Sequence, residues 1–426
     1  MPESHQAETK PRPVVLVLGA GFAGIGAARK LKNLDADVVL VDKHDYHTFQ
    51  PLLYQLATDL LEPSAVGHPL RDLFHEQPNV AVHQDAVTGI DLEKREARFA
   101  ELAPITYDYL VLALGAEVNF FGAEGAAEHA FPMYTLADAV RLKDHVLERW
   151  EAADRKPELA GQGALTIVVV GGGPTGVESA GALVELYRGE FSKDYPSLPQ
   201  ENARIVLVEA EGELFPMFKK NLRRYAKKAL EDRGVEVLVG ETVSSVSPGR
   251  VTLGSGKQID AHTLVWGAGL VANPIADSLD LELQHGKRIP VESDLALKVH
   301  PEVFVVGDLA WITDTATDTI LPQLGSVALQ SGERAGENIA RRIAGKETEP
   351  FLYHDKGTMA TIGRGAAVVQ FRRGRTMKGK AASLAWGTVH LALLSTGEDR
   401  AKAIVDWTWA GFSHERPGRI TVRSDE

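Results

Sequence analysis

The chain has no cysteine among its 426 residues. That excludes disulfide frameworks, thiolate metal sites and iron–sulfur ligation, so any redox chemistry must come from a bound cofactor. Long apolar runs are missing too. No stretch reaches the roughly 18 consecutive apolar residues of a membrane span. Positive charge is short: the net charge of -12 leaves no excess of Lys and Arg to neutralise phosphates, and nucleic acid is excluded as a partner. The opening MPESHQAETKPRP carries charges and prolines but no apolar segment, so residues 1–12 read as a disordered lead and not a signal peptide. The expectation is a chain that folds in the cytoplasm.

What is present is a globular composition, 44% hydrophobic and 24% charged, on a length that suggests two or three domains. From Val14 the pattern runs VVLVLG, a glycine turn, the helical GIGAARKLKNL, then DVVLVD. The same grammar returns at Leu165 with LTIVVVGGG, PTGVESAGALVELYRG and IVLVEA. Each copy opens on a continuous β-branched run, as a parallel strand buried on both faces requires. YDYLVLALGA (107–116) and AHTLVWGAGL (261–270) extend the repeat, and EVFVVGDLA (302–310) is expected to return to the first sheet. The fold class expected is α/β, with two Rossmann-like dinucleotide-binding domains. The first would be discontinuous, 13–122 plus 295–345; the second would span 123–294; residues 346–426 would form a C-terminal region.

Gly19-Ala20-Gly21-Phe22-Ala23-Gly24 is G-x-G-x-x-G between a strand and a helix. Gly19 permits the turn, Gly21 lets backbone approach a pyrophosphate at the helix N-terminus, and Gly24 lets helix and strand pack closely. Asp42 ends the next strand, where an acid accepts from ribose hydroxyls. The second match is Gly171-Gly172-Gly173-Pro174-Thr175-Gly176, followed by Glu178 in the first turn of its helix. Glu178 has two readings, a carboxylate complementing the helix dipole or a group facing the nicotinamide. Glu209, at the end of the second copy's next strand, binds a 2′-hydroxyl but repels a 2′-phosphate, which favours NADH over NADPH. Two dinucleotide sites point to a nicotinamide that delivers hydride and a flavin that accepts it. Asp308 suits the flavin's ribityl hydroxyls, or else caps a turn. His44 and His47 form an H-x-x-H pair with no third ligand, so no metal site is expected.

The chain resembles the type II NADH dehydrogenases, single-subunit flavoprotein NADH:quinone oxidoreductases. The resemblance rests on HDYHTFQPLLYQLAT (44–58), LVLALGAEVNFFG (110–122), VVVGGGPTGVESAG (168–181), VFVVGDLA (303–310) and YHDKGTMATIGRGAAVV (353–369). It implies FAD contacts at Gly19, Gly21, Phe22, Ala23, Asp42, Lys43, Ala113, Gly115 and Asp308, and NADH contacts at Gly173, Pro174, Thr175, Glu178 and Glu209. It also implies a quinone acceptor near Gln330. One departure concerns that side: where the family often reads A-Q-x-A-x-Q, this chain has Gly325-Ser326-Val327-Ala328-Leu329-Gln330. Ser326 stands in place of the first Gln, so it reaches the quinone through water, or the acceptor differs. A second departure is LLSTGEDRAK (393–402), which carries acids where the family's turn is more neutral or basic.

From residue 371 the chain carries ten Lys or Arg against six acids. Val405, Trp409 and Phe412 are expected to share a helical face with Trp386. Aromatics beside bases suit an amphipathic helix lying in lipid headgroups on the cytoplasmic side, peripheral and not spanning; the other reading is a helical lid packed on the core. A homodimer is left open. The leading expectation is an NADH dehydrogenase that reduces FAD and passes electrons to a membrane quinone without pumping ions. The rivals are a reductase of a small redox protein such as a ferredoxin, and a flavin-based NADH sensor. Disulfide reductases and sulfide:quinone reductases are excluded by the missing cysteines.

Overall fold

The computed structural model describes residues 12–372, 374–394 and 396–413, with the backbone alone at 398 and 408–413. It divides into two compact units, the first drawn from Met1–His47, Pro69–Glu117 and Leu270–His354, the second from Thr48–His68, Val118–Gly269 and Asp355–Glu426. The second unit therefore takes in 48–68 and the chain from 355 onward. Sequence patterning placed the former with the first domain and the latter in a region of its own.

The first unit is built on a five-stranded sheet in the order Val303–Val305, Tyr109–Leu112, Val14–Leu18, Asp37–Asp42, Val80–Gln84. Every pairing is parallel. Burial on both faces is why the inner strands are mostly runs of Val and Leu: Leu16, Leu18 and Leu40 are fully enclosed, as is Phe304 on the returning strand. The returning strand 303–305 does close this sheet, beside 109–112. Helix Phe22–Lys30 crosses helix Gly325–Ile343 at very short range, since a Cβ on Gly332 would sit 1.9 Å from the Ala23 carbonyl oxygen. Only glycine allows that approach.

The second unit repeats the plan, in the order Phe131–Pro132, Thr263–Trp266, Thr166–Val170, Arg204–Glu209, Val235–Val239, again all parallel. Its long helix Leu136–Arg155 starts on a capping box in which Thr135 and Asp138 satisfy each other's backbone N–H. Helix Pro174–Leu186 runs into a wide turn at Tyr187–Phe191 and a short helix Ser192–Asp194. Tyr187, Phe191 and Tyr195 pack their rings around Trp150 at 4.9 to 5.4 Å. This aromatic extension accounts for the unusual distance in sequence between Gly176 and Glu209. A three-stranded antiparallel sheet, Thr358–Gly363, Ala366–Gln370 and Thr376–Lys378, precedes the helices Lys380–Leu393 and Gly397–Ser413.

Candidate functional site

In the first unit the chain leaves strand Val14–Leu18 through Gly19, whose φ of +96° is open to glycine alone at low cost. Its N–H donates to the Val41 carbonyl at 2.8 Å. A Cβ at Gly24 would lie 1.8 Å from the Gly19 carbonyl oxygen, so helix and turn touch backbone to backbone. Asp42 fixes the loop from the side, accepting from Ala20 N–H at 2.6 Å and His44 N–H at 2.8 Å. His47 is buried with Nδ1 3.0 Å from the Ala20 carbonyl, and Phe22 meets its ring edge-on. No group of three or more His, Cys, Asp or Glu side chains that could hold a metal ion occurs among the described residues.

The loop fits the pyrophosphate of a dinucleotide. Helix Phe22–Lys30 has no side-chain cap and no acid in its first turn, so no side-chain carboxylate competes with an anion at its N-terminus. An added Cβ on the exposed Gly21 would meet nothing within 4 Å, so the protein leaves that space open. Ala113 is buried behind the turn, Gly115 holds φ +69°, and the Lys43 carbonyl is tied by Gln84. Asp308, on a single turn after strand Val303–Val305, has its pKa pushed up to about 6 by burial, against a downward pull from Arg288. No donor among the described residues hydrogen-bonds its carboxyl, as suits a group meant for the hydroxyls of a polyol. Arg288 escaped the sequence reading. It is buried, donates to the carbonyls of Ala310 and Leu321, and lies over Trp311.

The second loop repeats the first nearly atom for atom. Gly171 has φ +111°, its N–H donates to Val208 at 2.9 Å, and a Cβ on Gly176 would lie 1.9 Å from the Gly171 carbonyl oxygen. Glu209 holds this loop as Asp42 holds the other, accepting from Gly172 N–H on one oxygen and from Glu211 N–H at 2.6 Å on the other. Gly173 occupies the N-cap, and Pro174 takes the first helical position, where its missing N–H costs nothing. Thr175 follows it beside Gly267.

Glu178 is the fifth residue of that helix and not in its first turn, which corrects the sequence placement and removes the dipole reading. It is 8% exposed, and its Oε1 accepts from the Thr361 N–H at 3.0 Å on strand Thr358–Gly363. Burial pushes its pKa up to about 8, outweighing the Thr361 bond and the nearby Trp386 indole, so the carboxyl keeps its proton at neutral pH. Tyr54 lies against the same space. Burial and the Glu178 charge hold its phenol well above the usual range. Thr361, Tyr54 and Trp386 carry no local motif that would have tied them to Glu178.

On the acceptor side the side chain of Gln330 is engaged at both ends, donating to the His354 carbonyl at 3.2 Å and accepting from the His354 N–H at 3.0 Å. One turn earlier Ser326 Oγ lies 2.8 Å from Tyr353 Oη.

The tail reading needs two corrections. Trp386 does not join an outward face: it is 6% exposed, packed on Tyr54 and stacked at 4.1 Å on His390, because its helix turns that side toward the unit's interior. Val405 is exposed, and the side chains of Trp409 and Phe412 lie outside the described residues. In LLSTGEDRAK, Asp399 is buried, paired with His68 and sharing reciprocal caps with Thr396 at the start of helix Gly397–Ser413. It is an interior cap, not an acid on a surface. Leu384, Val389, Leu393, Ile404 and Val405 remain exposed, and no helix among the described residues is long and apolar enough to cross a membrane.

Residues 13–332 match the pyridine nucleotide-disulphide oxidoreductase family. A type II NADH:quinone oxidoreductase of Mycobacterium tuberculosis is 33% identical, over 99% of this chain and 92% of its own length. One of Staphylococcus aureus is 31% identical over 83% and 88%. In structure the chain is similar to NDH2 from Plasmodium falciparum in complex with NADH, with a TM-score of 0.89 at 19% identity, covering 97% of this chain and all of that one.

Proposed function

The chain belongs to the type II NADH:quinone oxidoreductases, flavoenzymes that take electrons from NADH to quinone, and from that premise we propose which of its residues carry each part of the work. The observation that carries the proposal is the duplicated loop, each copy held by an acid at the end of the following strand. The first copy takes FAD: the N–H groups beginning at Gly21, Phe22, Ala23 and Gly24 receive the pyrophosphate, Asp42 and Lys43 the adenosine end, and Asp308 the ribityl chain, with Ala113 and Gly115 backing the turn. The second takes NADH on Gly171, Gly173, Pro174, Thr175 and Gly176, with Glu209 accepting from the ribose and repelling a 2′-phosphate. When bound, FAD supplies a ring system that accepts a hydride and releases two electrons onward. Everything else is positioning and proton supply by the chain.

Glu178 holds a proton at neutral pH and is the group that gives it up as the acceptor is reduced. Gln330, tied to His354, positions the segment that carries Tyr353, and the Ser326–Tyr353 hydroxyl pair offers the polar contact that the family's first Gln would otherwise supply. The exposed apolar side chains of the last two helices rest on the membrane surface, on its cytoplasmic side, as a peripheral attachment. Steady-state NADH oxidation by the purified yellow protein tests the reading, with menadione, a ubiquinone analogue and ferredoxin compared side by side. Turnover with the quinones and not with ferredoxin is expected. Activity with ferredoxin alone would assign the chain to the redox-protein reductases, and slow turnover with all three would favour a sensor.

A further inference from the structure

Trp386 carries a feature that the assignments above leave unused. Its indole N–H is buried and has no hydrogen-bond partner among the described residues. The N–H faces Glu178 and favours the ionised carboxyl, without a full hydrogen bond between them. The rest of the indole is firmly held: the ring stacks on His390 at 4.1 Å, packs against Tyr54 at 6.4 Å and Trp407 at 5.9 Å, and the His390 Nδ1 lies 2.9 Å from the Trp386 carbonyl. Tyr54 is fixed in turn by Gln55, whose Nε2 donates to the phenol at 2.8 Å while its Oε1 accepts from the Trp407 indole at 2.7 Å.

We propose that Trp386 is a positioning residue for Glu178: its N–H stays unpaired while the carboxyl is protonated and becomes the donor to the carboxylate once the proton has left. The inference rests on the reading of Glu178 as the proton-releasing group. An orphaned buried donor is disfavoured, whereas a hydrogen bond to a carboxylate is strong, so the indole lowers the cost of ionisation. An indole suits the task because it donates without ever taking up or losing a proton near neutral pH. The surrounding ionisable groups do not replace it. Tyr54 on helix Leu53–Ala57 is a neutral phenol whose pKa lies well above its usual value. Glu185, two turns along the Glu178 helix, is paired with Arg233. His390 on the Trp386 helix has its pKa pushed down to about 4 by burial and is uncharged. Strand Thr358–Gly363 offers the Thr361 N–H, which already donates to Oε1 and so is not the donor gained on ionisation.

Infrared spectroscopy of the flavin-loaded protein tests this through the C=O stretch of the protonated carboxylic acid, assigned by its absence in Glu178→Gln. In Trp386→Phe the pH midpoint at which that band disappears is expected to rise by about one pH unit, the worth of one charge-assisted bond, and the alkaline limb of quinone turnover is expected to move with it. An unmoved midpoint overturns the role of Trp386, whatever turnover does. A midpoint that moves while the turnover limb stays leaves Trp386 in place and removes Glu178 from the reaction. A second measurement needs no change at position 386. In fluorotryptophan-labelled wild-type protein, one of the six tryptophan resonances must titrate with the carboxyl band and lose that response in Glu178→Gln; if none does, the proposal fails.

Discussion

Gly26 and Glu178 occupy the same place in two copies of one motif, the fifth residue of the helix that follows each glycine loop. Around the nucleotide the copies match: a left-handed glycine, a glycine pressed on its carbonyl, and an acid accepting from the loop's N–H. On the opposite helix face they part. A Cβ on Gly26 would lie 2.7 Å from the Leu329 carbonyl oxygen, because helix Gly325–Ile343 fills that side with backbone. In the second unit the face is met by a strand edge at Thr361 and an indole at Trp386, which leave room for a carboxyl and keep it buried. Requirements for holding a dinucleotide are met twice by the same atoms, and the difference in chemistry is set by what packs behind the loop.

The sharpest way to break the equivalence is to fill each loop in turn. Gly24→Ala and Gly176→Ala both place a Cβ under 2 Å from a carbonyl oxygen, a contact that side-chain rotation cannot relieve. The first is expected to purify without flavin, measured by its visible absorbance. The second should stay yellow while its KM for NADH rises at least about tenfold. A Gly176→Ala protein that lost flavin instead would reverse the assignment of the two sites.

Removing the carboxyl comes next in size. Glu178→Gln should retain FAD and lose about 100-fold in quinone turnover, the lower range for a missing proton donor. It also has a signature in stability. Because burial lifts the folded-state pKa from 4.5 to about 8, the folded chain keeps a proton that the unfolded chain releases, and wild-type stability falls as pH climbs between those values. Denaturant titrations of Glu178→Gln should lack this loss, giving a relative gain of about 3 to 5 kcal/mol above pH 8.

Cofactor choice is a smaller effect. Glu209→Gln keeps one acceptor for the ribose but removes the charge, so the NADPH-to-NADH ratio of kcat/KM should rise about tenfold, whereas Asp42→Asn should leave that ratio alone. An Asp42→Asn protein with altered nicotinamide preference would contradict the division of labour. The smallest change is expected at Gln330. Gln330→Ala should cost about 1 kcal/mol in thermal stability for the two bonds to His354, with a KM for quinone changed less than Tyr353→Phe changes it.

The loops were legible in the sequence because every part of them is local. Strand, turn, helix and acid follow within one β-α-β unit, and Asp42 and Glu209 fall where the second strand must end. Strand 303–305 was equally readable as a return to the first sheet, since VFVVGDLA is too short to found another. What resisted reading depended on residues far along the chain. Glu178 owes its raised pKa to burial, against the opposing pull of Thr361 and Trp386, and no spacing rule links positions some 200 residues apart. Trp386 belongs by its helical pattern to an outward face that the fold turns inward, and the acids of LLSTGEDRAK show in sequence only as a departure from the family's turn, not as the buried partner of His68 that Asp399 is. Gln330 was matched to a quinone by resemblance, while its amide spans the backbone of a residue 24 positions away.

Asp42 and Glu209 grip their loops through the chain's own backbone N–H groups, and this bears on how quickly cofactors arrive and leave. The backbone N–H groups are oriented during folding, so ordering the loop is not part of the binding event and encounter is limited mainly by diffusion and desolvation. Each acid already serves two N–H groups, so an arriving ribose joins an existing arrangement and does not create one. Residence time then falls to the contacts outside the loop. For FAD the proposed contacts include Asp308, whose carboxyl no side chain among the described residues hydrogen-bonds, and loss of that one group should shorten the stay of the flavin without slowing its arrival.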